Sequence, residues 1–140
     1  AIIFARPFEP AQEYPDETYP LWFCTGRMLE HWHTGTMTRR VPQLHRAMPE
    51  ALCYMHKADA AKHKLFDGDQ LKVISRRGEV MLTLSSSRRV RVPEGYVYAP
   101  FFDEDRLVNR VCLGLVDPMS KQPDYKKCAV RVEKQNGRAS

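Results

Sequence analysis

Ten prolines and seven glycines are scattered along the 140 residues of this chain, and that dispersal constrains its fold more than any other feature. Proline fixes φ and removes a backbone donor, and glycine weakens regular structure, so punctuation this frequent keeps helices and strands short. The expected architecture is mainly β with short helices and many turns, not a helical bundle. An apolar content of 43% is enough for one real core at this length. The mean hydropathy of −0.52 and the absence of a long apolar run exclude a membrane-spanning helix.

Residues 5 to 20 place Pro7, Pro10, Pro15 and Pro20 among acidic and aromatic side chains, which predicts an extended connector laid over a surface. Leu21 to Cys24 reads as a buried strand, Gln43 to Met48 as a short helix or turn, and Ala51 to Met55 as a second buried strand. A short polar helix is expected over Ala58 to Lys64. Beyond a turn at Gly68, Gln70 to Ser75 and Val80 to Ser85 form a hairpin about Gly78. Further strands are expected at Tyr96 to Ala99 and Cys128 to Val132; Leu107 to Leu113 reads as a strand or as irregular chain, and Val116-Asp117-Pro118 turns the chain. Six or seven short strands suggest a small closed barrel, which removes exposed edges, although an open sandwich has the same strand count. The expected organisation is a connector from an upstream domain at 1–20, a domain at 21–134 and a flexible polar tail at 135–140. The apolar opening Ala1-Ile2-Ile3-Phe4 calls for burial against a partner or a preceding segment, as in a piece of a larger protein.

The chemistry is concentrated in Thr25 to Arg40, just past a strand end. Gly26 and Gly35 allow close backbone approach or a positive φ, Arg27 offers a planar fork of donors, and Thr25, Thr34, Thr36 and Thr38 add hydroxyls. His31, Trp32 and His33 supply flat rings. Rings and an arginine beside a glycine turn suit a purine and a pyrophosphate, the recognition problem a dinucleotide sets. A single histidine here would read as core filling; His-Trp-His among Gly, Arg and Thr favours binding. The net charge of +5 does not choose between nucleic acid, an anionic surface and a small anion. Arg39, Arg40 and Lys126 have the better claim on an anion, and Arg88, Arg89 and Arg91 read as solvated surface. Cys24, Cys53, Cys112 and Cys128 lack the spacing of a zinc or iron–sulfur site and are expected as buried free thiols. Asp67, Asp69 and Asp103 are assigned to turns. No nucleophile-elbow, zinc-protease or phosphate-loop motif is present, so a self-contained hydrolase or kinase has no support.

The run Leu-Glu-His-Trp-His-Thr-Gly-Thr-Met-Thr-Arg-Arg at residues 29–40 closely resembles the C-terminal domain of periplasmic nitrate reductase catalytic subunits, within the dimethyl sulfoxide reductase family. Met55-His56, Gly68-Asp69, Ser75 to Val80, Pro100-Phe101-Phe102-Asp103, Leu107-Val108-Asn109 and Lys126 to Val130 continue the resemblance in order, over roughly residues 1 to 134. It departs at Lys57-Ala58, where a Pro-Glu pair is common. The resemblance implies a double-psi β-barrel, the fold of molybdopterin dinucleotide-binding domains. It also implies that Thr25, Gly26, Arg27, Met28, Leu29, Glu30, His31, Trp32, His33, Thr34, Asn109 and Lys126 contact a molybdenum bis(molybdopterin guanine dinucleotide), Lys127 being able to exchange with Lys126. Phe101 would border the substrate funnel. The implied enzyme is periplasmic and reduces nitrate to nitrite. Its 4Fe-4S cluster and molybdenum ligand belong to other domains of the same subunit, and a dihaem cytochrome c is the partner that delivers electrons. Neither a catalytic residue nor a metal ligand is expected within this chain. The nearest alternatives are the same domain of an assimilatory nitrate reductase or formate dehydrogenase. A basic barrel binding single-stranded nucleic acid is disfavoured, because the arginines sit at turns instead of interleaving with aromatics along one face.

Overall fold

Period-two alternation sets the barrel wall. In the computed structural model, which describes residues 1–5, 7–85 and 90–135, β1 (Leu21–Gly26) turns Leu21, Phe23 and Thr25 inward. Alternation also runs through β3 (Gln70–Ile74) and most of β4 (Glu79–Ser85) and β5 (Tyr96–Pro100), while β2 (Leu52–Met55) and β6 (Lys127–Lys134) each carry three consecutive buried residues. These strands close into one barrel in the order β1, β5, β2, β4, β3, β6. β1 runs parallel to β5 and β2 parallel to β4, while the remaining pairings are antiparallel. The mainly β, closed double-psi barrel expected from the sequence is the fold, with six strands.

Register builds the core in layers. Phe23 lies opposite Val97 on one side and Cys128 on the other, Leu71 opposite Leu82, and Val73 opposite both Val80 and Val132. Phe23, Leu71, Leu82, Val73 and Val97 are fully buried. Each such side chain contributes about 1.5–3 kcal/mol, against roughly 0–1 kcal/mol for an exposed ion pair, so the interior and not the charged surface stabilises the barrel.

The short helices are punctuated as the sequence suggests. α1 (Pro42–Ala47) starts on a proline, whose missing N–H would have no partner there. α2 (Lys57–Lys62) is capped by His56, whose Nδ1 accepts the Ala58 N–H at 3.2 Å, so the helix start at Lys57-Ala58 is capped. Between Leu107 and Leu113 the chain forms a 3₁₀ helix, Val108–Arg110, and no strand. No helix among the described residues is long and apolar enough to cross a membrane. The tail expected at 135–140 lies outside the described residues beyond Gln135, as do Arg88 and Arg89.

The proline-rich connector is fastened at its centre. Glu13 accepts the Ala129 N–H of β6 at 2.6 Å and takes both Arg77 guanidinium nitrogens, at 2.5 and 3.0 Å. Asp16 pairs with Arg76, and Tyr14 packs edge-on against Trp22. Ahead of this clip Ile2, Ile3, Phe4 and Phe8 are exposed. Burial pushes the Glu13 carboxyl up, but the Arg77 bond, the Ala129 amide and the charges of Arg77 and Arg76 outweigh it and hold the group below its ordinary 4.5. A depressed folded-state value means that the clip's contribution is complete above 4.5 and is lost as pH falls through that lower value. The Ala129 amide resonance is therefore expected to titrate with a midpoint below 4.5, and Arg77→Ala to raise that midpoint. A wild-type midpoint at or above 4.5 would contradict the clip.

Candidate functional site

Parallel pairing of β1 with β5 brings their C-terminal ends together, with Gly26 beside Pro100. The chain leaves both strands side by side, and the Phe101 N–H donates to the Gly26 carbonyl at 3.3 Å. Antiparallel β6 starts at the same end, where the Thr25 N–H donates to the Lys126 carbonyl at 3.4 Å and the Thr25 hydroxyl donates to the Tyr125 carbonyl at 2.5 Å. Three segments distant in sequence thus meet at one rim of the barrel.

At that rim stands a cluster of two cations on one ring. The Arg27 guanidinium carbon is 5.9 Å and the Lys126 ammonium 5.3 Å from the centroid of the half-buried Phe101 ring. Lys127, by contrast, is tied to Asp124 at 2.6 Å. Asn109 is exposed on the 3₁₀ helix, and Cys112 joins that helix to the Lys126 segment, its sulfur 3.9 Å from Asn109 Oδ1 and 3.5 Å from the Tyr125 carbonyl. The rim therefore offers a planar fork, a mobile point charge and an aromatic ring, with an amide on the adjoining segment. These are groups that recognise phosphate and a nucleobase edge.

Gly26 serves packing more than conformational freedom. Its φ is not positive, and a Cβ there would lie 2.7 Å from the Tyr98 oxygen. That hydroxyl donates to the Arg27 carbonyl at 2.6 Å, and burial pushes the phenol's pKa up, which keeps its proton in place. Tyr98 consequently fixes the backbone from which Arg27 projects.

Beyond Arg27 the loop divides in two. Met28, Glu30 and His31 are buried, whereas Leu29, Trp32, His33 and Thr34 face outward. The His31 ring stacks on Phe102 with centroids 4.1 Å apart. Its Nε2 lies 2.7 Å from the Met48 carbonyl, which can only accept, so Nε2 carries the proton and Nδ1 accepts from the Thr38 hydroxyl at 3.1 Å. Thr38 Oγ1 in turn accepts the Trp32 N–H at 3.1 Å. His31 thus anchors the loop from inside, and Trp32 and His33, with ring centroids 4.8 Å apart, form its exposed aromatic edge. The turn closes at Gly35, with φ +75°, where a Cβ would meet the Phe102 carbonyl at 3.2 Å.

Arg39 and Arg40 line a separate recess of about 320 Å³ with Thr34, Thr36, His45 and Glu104. Arg39 is already paired to Glu104 at 3.3 Å. Among the described residues no group of three or more His, Cys, Asp or Glu side chains is placed to hold a metal ion.

The structure therefore joins Thr25, Gly26, Arg27, Phe101 and Lys126 directly, sets Asn109 beside them through Cys112, and presents Leu29, Trp32, His33 and Thr34 on the following loop. Met28, Glu30 and His31 lie inside that loop. Sequence reasoning missed Tyr98, Phe102, Thr38 and Met48 as its supports. The alternation of Tyr96 and Tyr98 ahead of Pro-Phe-Phe was the available signal, but nothing in it shows which tyrosine faces Gly26.

Residues 21–129 match the family model described as the molydopterin dinucleotide binding domain. Among solved structures, the chain resembles acetylene hydratase from Pelobacter acetylenicus at a TM-score of 0.66 and 17% identity, over 84% of this chain and 18% of that one. It also resembles a rationally designed protein at a TM-score of 0.42 and 15% identity, over 88% of this chain and 100% of that one. The chain thus spans less than a fifth of the length of the natural protein it resembles.

Proposed function

This chain belongs to the molydopterin dinucleotide binding domain family, and we propose that it is the C-terminal cofactor-binding domain of a periplasmic nitrate reductase catalytic subunit. The observation that carries the binding role is the pair of cations, Arg27 and Lys126, gathered on Phe101 at the rim where β1, β5 and β6 meet. Support for the nitrate reductase assignment comes from the run at residues 29–40 and the Pro100-Phe101-Phe102-Asp103 motif.

The residues at the rim fit a dinucleotide. Arg27 and Lys126 would offset phosphate charge, Asn109 would hydrogen-bond a base or pterin edge, and Trp32, His33 and Thr34 would cover the ligand from the loop. Phe101 would hold the cations apart while bordering the path taken by nitrate. The cofactor, a molybdenum bis(molybdopterin guanine dinucleotide), supplies the two-electron chemistry that converts nitrate and two protons to nitrite and water. The chain's own work is to bind, orient and exclude water. The 4Fe-4S cluster would be ligated in the remaining domains of the subunit, a dihaem cytochrome c would deliver electrons, and the assembly would reside in the periplasm. The exposed Ile2, Ile3 and Phe4 would be covered by those remaining domains.

The test is the full-length polypeptide that contains this chain, assayed for molybdenum content and with nitrate and formate in turn. Molybdenum together with nitrite production is expected. Formate oxidation in place of nitrate reduction would transfer the domain to a formate dehydrogenase, and a polypeptide that takes up no molybdenum would overturn the cofactor assignment.

A further inference from the structure

Cys112 follows the 3₁₀ helix that carries Asn109, and Cys128 lies in β6 two residues beyond Lys126. The two are crossed against each other. The Cys128 thiol donates to the carbonyl of Val111, the residue before Cys112, at 3.2 Å, while the Cys112 thiol lies 3.5 Å from the carbonyl of Tyr125, just upstream of Cys128. Arg77 Nε donates to the same Val111 carbonyl at 3.2 Å, which sets a guanidinium beside the Cys128 sulfur.

From this geometry we infer that Cys112 and Cys128 are a dithiol that closes to an intrachain disulfide, with a low-molecular-weight disulfide such as oxidised glutathione as oxidant. The pair is asymmetric. The Cys112 hydrogen bond and the Arg77 charge hold the Cys128 thiol below its ordinary range against the effect of burial, whereas Cys112 is pushed up. Cys128 is therefore the attacking sulfur and Cys112 the resolving one. The Cys128 thiolate attacks one sulfur of the oxidant, breaks its S–S bond and releases one thiolate. Cys112, deprotonated, then attacks the Cys128 sulfur of the mixed disulfide, forms the Cys112–Cys128 bond and releases the second thiolate. Two electrons pass to the oxidant, and the protons lost by the two cysteines end on the two thiols released.

Both sulfurs are buried, and access runs through residues 113–126. That excursion contributes no strand to the barrel, is bridged between Val116 and Pro123, and is largely exposed, so it opens at less cost than the barrel wall. The bond would tie the Asn109 segment to the Lys126 strand. Its bearing on cofactor contacts rests on the proposed function; its formation does not.

The 140-residue chain is to be equilibrated with oxidised glutathione, alkylated after denaturation and digested with trypsin. Cleavage after Arg110, Lys121, Lys127 and Arg131 leaves Cys112 in peptide 111–121 and Cys128 in peptide 128–131. The expected product is these two peptides linked, with Cys24 and Cys53 alkylated. Alkylation of all four cysteines, or a Cys24–Cys128 link between neighbouring strands, would overturn the inference. Cys112→Ser is expected to stop at a glutathione adduct on Cys128, and a free, alkylated Cys128 in that variant would also overturn it. Cys24→Ser is expected to leave the link intact, and its loss there counts against the pair.

Discussion

Asp103→Ala is expected to lower the stability of the chain by about 2–4 kcal/mol, which on a typical domain stability of about 5–15 kcal/mol removes a large share of the total. Asp103 is 2% exposed and its oxygens are fully committed. Oδ2 accepts the Ala51 N–H at 2.8 Å and meets Arg106 at 3.1 Å, while Oδ1 accepts the Asp105 N–H at 3.1 Å. Arg106 continues to Glu50 at 2.5 Å, and Glu50 accepts the Thr83 hydroxyl of β4 at 3.1 Å. Removing the carboxylate orphans the amide of fully buried Ala51 and leaves a half-buried guanidinium with one partner. An orphaned buried N–H alone costs about 1–3 kcal/mol. Asp103→Asn, which keeps an acceptor, is expected to lose less than half as much. Urea unfolding at unchanged slope measures both, and an alanine variant with a wild-type midpoint would show that Asp103 does no more than shape a turn. Because Phe102, its neighbour, supports His31, the same substitution loosens the loop beyond Arg27.

Asp103 also marks where sequence stops being sufficient. Reading it as a turn residue follows from its position after two aromatics, and the Asp105 N–H bond agrees. The Ala51 contact depends on which strand lies next to β5, and period-two alternation encodes a strand's two faces but not its neighbour. The apolar run from Leu21 to Cys24 and the hairpin from Gln70 to Ser85 about Gly78 made those strands legible to within two residues of their ends. Pairing order was not, since it arises from contacts between strands, such as β1, β5 and β6, that are far apart in the chain. The loop after β1 shows the same limit. A Gly, an Arg and three rings mark a candidate binding segment, but the stacking of His31 on Phe102 and its bond to the Met48 carbonyl decide that this ring turns inward while Trp32 turns out. Lys126 and Lys127 are told apart only by such contacts: Asp124 holds Lys127, whereas Lys126 stands over Phe101.

Removing both rim cations, as Arg27→Ala with Lys126→Ala, is expected to weaken guanosine 5′-diphosphate binding to the chain about 100-fold. Hydrogen bonds between charged partners are worth about 1.5–3 kcal/mol when shielded, but both side chains are exposed, so about 1.4 kcal/mol each, a factor of ten apiece, is the appropriate scale. Salt separates this from a packing effect. If the loss is electrostatic, wild-type affinity falls as ionic strength rises from 10 to about 500 mM, and the double variant's affinity hardly changes. Arg27→Lys retains the charge without the planar fork and is expected to lie between the two. Phe101→Leu keeps bulk while removing the ring face on which both cations rest, so it is expected to cost several-fold in affinity although Leu makes no phosphate contact. Arg46→Ala, an exposed charge on α1, provides the baseline for a change in net charge alone. Calorimetric titration of the five proteins decides the matter. Equal affinities for the double variant and Arg46→Ala would mean that the ligand is drawn by overall charge, and the rim would lose its claim to be the place where a dinucleotide's phosphates are held.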